Sequence, residues 1–512
     1  RISGAGKTVN GDAGVGATAT NDNSIVAVAA AVGASQGVAA SGAVTWNVIS
    51  NKTEATLSGA TVTASGNAVN LDADDTADIF AISGNAAIST GQGSVGISAS
   101  YNEIDNETYA RATGGSLSGT SVRVEATEDA TIKAIAAGGS GSSKVAVSGS
   151  LGVNTIGNIT EASTSGTTVN TAGDATVRAV DNSDIFSITG AVGAAGNGAV
   201  GASGSYNHIG STVTARISGG TVDAANVLVD AERSAKMEVW AVAGSGAGTA
   251  GFAGSIALND IGGVTTASIN GGADVEASGN ALVTAESDDE IEARAGAIGI
   301  GGSVGGAGSI AFNNMHADTL AQVTGVNTQV TALGNGGLAQ VDNGQLNALT
   351  GLPSAQPLAG RQKKDSLRGV AVVASSTAQV ENFAISAGGG GSTGVAGTLS
   401  VAMMTGYTSA EVTDNATLNT SFGGNEQEAR VAAYHHDNLA SGSGGGAIGG
   451  DVGAGGAMDT LIGSHVTTAG VNKATVQARK AVSVDAGATT EIAQAVIGLG
   501  GGTYAGLSGS IG

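Results

Sequence analysis

Apolar and polar residues alternate along most of the chain, and short glycine-containing or polar stretches interrupt the alternation. Val122, Val124 and Ala126 face one way, with polar residues between them, as in a half-buried strand. Gly, Asn, Asp and Ser break such runs every five to ten residues, and turns favour these residues. No segment carries an apolar stripe at the helical period. The pattern predicts an all-β chain of short strands joined by turns.

The same pattern returns about every 53 residues. An alanine followed six residues later by a large aliphatic residue marks nine units, at Ala19, Ala73, Ala126, Ala179, Ala231, Ala285, Ala374, Ala433 and Ala486. An asparagine two residues before Ile or Met has the same spacing, at Asn47, Asn102, Asn154, Asn207, Asn259 and Asn313. Short strands repeated at a fixed period stack into a β-solenoid.

Each repeat is long enough for more than one turn of a solenoid. We expect two coils per repeat, with three thin coils as the alternative. At about 4.8 Å per coil, these alternatives predict rods of roughly 90 and 140 Å, respectively.

The period breaks once, between Ala285 and Ala374, which lie 89 residues apart. We therefore divide the chain into regular repeats over 1–325, an inserted segment over 326–365 and less regular repeats over 366–512. The insertion holds both prolines of the chain, Pro353 and Pro357.

The only basic cluster accompanies this insertion. Insertions in repeat arrays emerge as loops on one face, which is often the binding face. The candidate partner-binding loop is therefore formed by Arg361, Lys363, Lys364 and Arg368. The alternative is a surface loop that is merely tolerated.

Composition narrows the class of protein. Glycine accounts for 87 of 512 residues, and Cys is absent, so the core must be built from small side chains without disulfides. Lys and Arg number 20 against 42 acids, and the net charge of −22 disfavours nucleic acid and anionic membranes. No uninterrupted apolar run reaches the ~20 residues of a membrane span, so we expect no membrane insertion.

The candidate chemistry is sparse. Acids recur just after the marker alanines, as at Asp74, Asp75, Glu128 and Asp129. If stacked, they could bind Ca²⁺ or simply form a solvated face that opposes aggregation. His435 and His436 are adjacent and would face opposite sides of a strand, which makes a poor metal site. We expect no catalytic, cofactor-binding or metal-binding residue, and no other cofactor.

The repeat style resembles a known class of protein. The alternating strand, the acidic turn and the glycine-rich segment from Gly198 to Ile209 are similar to those of large bacterial exoproteins. These are the filamentous haemagglutinin-like and leukotoxin-like adhesins of the two-partner and autotransporter pathways. The resemblance covers nearly all of the chain outside 325–366. It implies a right-handed parallel β-helix that is secreted or displayed on a bacterial surface.

Three functions follow as expectations. The first is a non-enzymatic, stiff stalk of an adhesin, whose insertion contacts a cell-surface receptor or glycan. The second is a self-associating extracellular filament or biofilm matrix protein, cross-linked through acidic faces by divalent cations. The third, a β-helix enzyme acting on polysaccharide, rests on fold analogy alone and is disfavoured.

Overall fold

The computed structural model describes residues 1–348 and 358–512. Within these ranges it contains 31 β-strands, a short 3-10 helix at Ala359–Arg361 and no α-helix. Two parallel sheets face each other and build a β-solenoid, so the predicted all-β solenoid fold is confirmed.

The first sheet, called the long-strand sheet, contributes one strand of 21 or 22 residues from each coil. Its nine strands are β3 (Val15–Ser35), β7 (Val69–Ser89), β11 (Val122–Ser142), β14 (Asp174–Ala195), β16 (Asn226–Ala247), β19 (Ala281–Gly301), β24 (Gly369–Gly390), β27 (Glu428–Gly449) and β30 (Ala481–Gly501).

The second sheet, called the return sheet, brings the chain back in shorter pieces. Its strands are β1 (Ile2–Ser3), β2 (Thr8–Asn10), β4 (Val38–Ile49), β5 (Lys52–Ser58), β6 (Thr61–Thr63), β8 (Gly93–Ile104), β9 (Glu107–Thr113), β10 (Ser116–Gly119), β12 (Val145–Ile156), β13 (Ile159–Thr171), β15 (Gly198–Ala224), β17 (Ala250–Asn270), β18 (Asp274–Ala277), β20 (Val304–Thr324), β21 (Gln329–Ala332), β25 (Thr393–Thr413), β26 (Thr417–Leu418), β28 (Val452–Asn472), β29 (Thr475–Val476) and β31 (Ala505–Ile511). A separate antiparallel pair is formed by β22 (Ala339–Leu346) and β23 (Gln362–Leu367).

The expectation of two coils per repeat is wrong, because each repeat winds a single coil. Val122 pairs directly with Val69 in the preceding repeat and with Ala175 in the next. Neighbouring strands therefore lie one whole repeat apart. Glycine and serine runs such as residues 138–142, which suggested turns, lie inside the extended strand β11.

The single-coil winding changes the proportions of the molecule. A strand of 21 residues is about 70 Å long at about 3.3 Å per residue. Nine strands stack over only about 40 Å, rather than the roughly 90 or 140 Å that multiple coils per repeat imply. The solenoid is thus wide and short over the described coils.

The wide part of each coil contains the apolar core. The marker alanines Ala73, Ala126 and Ala179 are fully buried and stack on one another in register. Ile79 and Ile132 are buried six residues further along and likewise stack in register. Burying one such isoleucine stabilises the fold by about 1.5–3 kcal/mol, and the ladder repeats this in successive coils.

An asparagine ladder runs along the solenoid axis beside this core. The side-chain amide of Asn154 donates to Asn207 at 2.8 Å, and Asn207 donates to Asn259 at the same distance. Each carbonyl therefore accepts a bond from the preceding coil while each amide nitrogen donates to the next. The ladder comprises Asn47, Asn102, Asn154, Asn207, Asn259 and Asn313, all of which are buried.

Candidate functional site

The insertion forms a hairpin that lies against the solenoid. The coil itself continues through β21, which pairs with β18 and β26, and backbone hydrogen bonds extend it to Asn335. The excursion therefore begins about ten residues later than the predicted boundary at 326. Both prolines of the insertion, Pro353 and Pro357, lie outside the described residues.

The hairpin packs on the outer face of the long-strand sheet. Val341 and Leu367, one from each of its strands, are buried against Val373 and Tyr434. Asp342 accepts a hydrogen bond from the hydroxyl of Ser375. The described part of the insertion is thus an added layer on the sheet.

The four basic residues predicted to bind a partner do not form one surface. Arg361 is only 5% exposed, and its guanidinium donates two hydrogen bonds to the carboxylate of Glu491, at 2.8 and 3.0 Å. Arg368 is half-buried, whereas Lys363 and Lys364 are exposed. The Nζ atom of Lys364 lies 3.9 Å from a carboxylate oxygen of Glu286. Arg361 therefore fixes the hairpin, whereas the two lysines remain accessible.

The recurrent acids separate into two sets, because successive residues of a strand point to opposite faces. On the outer face, Arg123 forms ion pairs with Asp72 at 2.9 Å and Glu125 at 2.6 Å. In the next coils, Arg178 pairs with Glu125 at 3.4 Å and with Asp230 at 3.1 Å. Three outer acids of this row, Asp72, Glu125 and Asp230, are therefore paired with arginine.

The inner acids form a buried row between the two sheets. Asp75, Glu128 and Asp181 stand in register in three successive coils and are at most 2% exposed. Glu128 accepts hydrogen bonds from Asn106 at 2.9 Å and Thr108 at 2.6 Å. Burial raises the pKa of Glu128 to about 8, although these hydrogen bonds oppose the shift, and burial likewise raises the pKa of Asp181.

Further along the same interior row lies a histidine cluster. His435 hydrogen-bonds Ser376 and Asp437, both at 2.6 Å, and stacks on His465 with ring centroids 3.4 Å apart. His436 points away from this cluster, as its adjacency to His435 predicted. Within residues 1–348 and 358–512, no group of three or more His, Cys, Asp or Glu is arranged to hold a metal ion. Calcium binding by the acidic rows stays a prediction.

Beyond the asparagine ladder, the coil narrows to an edge where the two sheets almost touch. Inward-facing positions there are Gly, Ala, Ser or Thr in most coils, as at Ala191 and Gly193 of β14 and Ala199 and Gly201 of β15. A Cβ atom built on Gly193 would lie 2.6 Å from the carbonyl oxygen of Val200 in the facing strand. An added Cβ atom would also lie less than 3.0 Å from a backbone oxygen of the facing strand at Gly201, Gly299, Gly388, Gly445 and Gly498. We call this region the narrow edge.

The large side chains at the narrow edge point outward. On the return sheet, five successive outward-facing positions in each of eight coils form what we call the apolar face. These are the alternate residues, starting from the first, of the segments 38–46, 93–101, 145–153, 198–206, 250–258, 304–312, 393–401 and 452–460. None of the 40 is Asp, Glu, Lys, Arg or His. Trp46 is 72% exposed and stacks on Tyr101, with ring centroids 4.5 Å apart.

A groove runs along the middle of the apolar face over six of its eight coils, parallel to the solenoid axis, and ends at Ile97. Its floor is a row of small residues, and its volume is about 530 Å³ where Ile256, Ile310 and Leu399 form one wall. Val200, Phe252 and Val395 stand in the neighbouring row on the other side. The floor consists of Gly149, Ala202, Gly254, Gly308, Gly397 and Gly456.

Neither the narrow edge nor the apolar face was recognised from the sequence. The signal was present, because glycine returns at one coil position as Gly254 and Gly308 while large apolar residues return two positions later as Ile256 and Ile310. With turns assumed at the glycines, these positions could not be assigned to a common face.

No helix in the described part of the chain is long and apolar enough to cross a membrane. Comparison with models of protein families, with curated proteins and with solved structures finds no match to this chain.

Proposed function

We propose that this chain is a non-enzymatic rod segment of a secreted or surface-displayed bacterial adhesin, in which a stiff β-solenoid carries a contact element. The observation that supports the proposal best is the uninterrupted register of nine coils. Strand pairs from β3 to β30 keep an unshifted register along their length, even across the insertion. A scaffold of this regularity suits a load-bearing role.

Stiffness follows from the width of the coils. Bending the solenoid requires parallel ladders of about 21 residues to open on one side, together with their buried alanine and isoleucine stacks. The asparagine ladder adds a buried hydrogen bond between successive coils, from Asn47 to Asn313. Each such bond contributes about 0.5–1.5 kcal/mol, and the contributions act along one line.

The acidic residues favour a structural role over polysaccharide cleavage. Glycosidase chemistry uses two carboxyl groups that flank a bound sugar in an open site. Here Asp75, Glu128 and Asp181 point into the core. Outer acids such as Glu125 are instead paired with arginine.

The contact element in this proposal is the hairpin of β22 and β23. Lys363 and Lys364 give its exposed strand a positive charge on an otherwise strongly acidic molecule. Such a site suits an acidic glycan or an acidic patch of a cell-surface receptor. Because Arg361 anchors the hairpin through Glu491, the two lysines are held on a fixed base.

The proposal is tested by binding of the chain to host and bacterial cell surfaces. A matched variant lacks residues 334–367, so that Leu333 joins Arg368. Ala332 and Val370 pair with Ala277 and Ala281 of the preceding coil. The junction leaves four residue steps between Ala332 and Val370, the same number as between their two partners, so the coil can close without the hairpin. A second variant, K363E/K364E, keeps the hairpin and reverses its charge.

We expect the chain to bind and both variants to lose binding. Binding that survives in both would move the contact to the repeated faces. Absence of binding by the intact chain would leave a spacer and refute the adhesive role. Association of rods that disappears on chelation would instead favour the filament cross-linked through its acidic faces.

A further inference from the structure

We propose that the apolar face at the narrow edge is a self-association surface, on which a second copy of this chain packs sheet against sheet. This inference goes beyond the adhesive role proposed for the hairpin, which lies on the opposite sheet. It rests on the charge-free face, its area and its groove.

The area is sufficient for a stable interface. The face spans eight residue steps across the strands and eight coils along the axis, which is roughly 26 Å by 34 Å, or roughly 900 Å². A standard protein interface buries about 800 Å² per partner, whereas the largest apolar patch of a typical monomer is about 300–600 Å².

The narrow edge is built so that this apolar area cannot turn inward. Gly193 and its counterparts bring the facing backbones too close for large side chains between them. Val200, Phe252 and Ile256 therefore remain outside, 39–47% exposed. In a single copy of the solenoid these side chains are in contact with water. A second copy packed on the apolar face would remove them from water.

The relief of the face favours another copy over an unrelated partner. Its groove and ridges run parallel to the axis, about 7 Å apart, and they repeat at the coil spacing of about 4.8 Å. A second copy has the same two spacings, so its ridge of Ile256, Ile310 and Leu399 can enter the groove over Gly254, Gly308 and Gly397. Facing sheets in β-sandwiches interdigitate in this way at a separation of about 10 Å.

Charge also defines the arrangement. The chain carries a net charge of −22, so two copies repel each other, and the repulsion is smallest when the surfaces in contact carry no charge. The apolar face meets that condition, since its 40 outward positions carry none. Added salt screens the remaining repulsion, so association should strengthen with ionic strength.

The test is sedimentation equilibrium of the 512-residue chain between 1 and 100 µM, at low and at high NaCl concentration. The disrupting variant is G254E/G308E/G397E, which places three carboxylates in the groove. Gly254 and Gly397 have open space where a Cβ would be added, and at Gly308 the nearest atom is 3.8 Å away. The monomer can therefore accept all three substitutions.

The matched control is G84E/G246E/G444E, which adds the same charge to the opposite outer face of the narrow edge. A Cβ at each of these glycines also meets nothing within 4 Å. Circular dichroism of each variant verifies that it is folded.

We expect the native chain and the control to associate with similar affinity. The groove variant should associate with a dissociation constant that is at least 100-fold higher. A native chain that stays monomeric at 100 µM and high salt would overturn the proposal, as would equal association of the groove variant. Vesicles of phosphatidylcholine, a zwitterionic lipid without net charge, are a further arm of the test. Binding to them without self-association would assign the face to a lipid surface instead.

Discussion

The close approach of the two sheets at the narrow edge gives the sharpest expectation about stability, through the substitution Gly193→Ala. The added Cβ would lie 2.6 Å from the carbonyl oxygen of Val200 and 3.1 Å from its carbonyl carbon. Both are backbone atoms of β15, whose neighbours β12 and β17 hold it in register on either side. No side-chain rotation can therefore relieve the contact.

The magnitude follows from the displacement that the methyl group requires. Ordinary contact begins at 3.4 Å, so the strands must separate by about 3.4 − 2.6 = 0.8 Å. Overpacking of this kind typically costs about 1–3 kcal/mol. The control is Gly246→Ala, in the next coil and on the outer face, where a Cβ meets no atom within 4 Å. There we expect no loss, and a gain of up to about 1 kcal/mol because alanine restricts the unfolded chain.

Hydrogen exchange resolved by mass spectrometry is the appropriate assay, because a solenoid can open coil by coil instead of unfolding in one step. Exchange should quicken in residues 190–203 of the Gly193 variant, with a lower guanidinium midpoint. If both alanine variants matched the native chain in exchange and midpoint, the sheets would not be in backbone contact at the edge. The account of the apolar face would then lose its basis.

Three further expectations concern the interior and the hairpin. Folded Glu128 keeps its proton up to about pH 8, whereas the unfolded side chain loses it near its ordinary value of 4.5, so stability should fall as pH rises between these values. Glu128→Gln should reduce that fall, as measured by denaturant midpoints at pH 5 and 8; an unchanged slope would show that Glu128 is not its source. Asn207→Ala should lower the free energy of unfolding, measured by thermal unfolding, by about 2 kcal/mol or more, because it leaves a donor on Asn154 and an acceptor on Asn259 unpaired. An unchanged free energy would mean that the ladder is dispensable. Arg361→Ala should quicken exchange in β22 and β23 but not in the coils, with a local loss of about 1.5–3 kcal/mol, and unchanged exchange would show that packing alone holds the hairpin.

Much of the fold could be predicted because its signals are local and repeated. Period-two alternation identifies strands, and the constant spacing of Ala73, Ala126 and Ala179 identifies a solenoid and the length of its repeat, although not the number of coils in each repeat. The insertion was located for the same reason, since it interrupts that spacing between Ala285 and Ala374.

The candidate site was harder to predict because it depends on contacts between distant residues. The partner of Arg361 is Glu491, 130 residues away, and no pattern near either residue indicates the pair. The four basic residues therefore looked like one surface, although one of them is an anchor within the fold. Adjacent acids such as Asp74 and Asp75 are a different case, because the alternation that places them on opposite faces of the strand is local and could have been applied to the sequence.

The sequence alone was enough to establish the all-β class, the repeat of about 53 residues and the alanine, isoleucine and asparagine positions that recur in it. The tertiary structure alone decided that each repeat is one wide coil and that large side chains leave the interior at its narrow edge. The physical reason is that glycine and serine suit a turn, and they equally suit an extended strand pressed against another backbone. Only the position of the facing sheet distinguishes these two roles, and that position is set by residues in other parts of the coil.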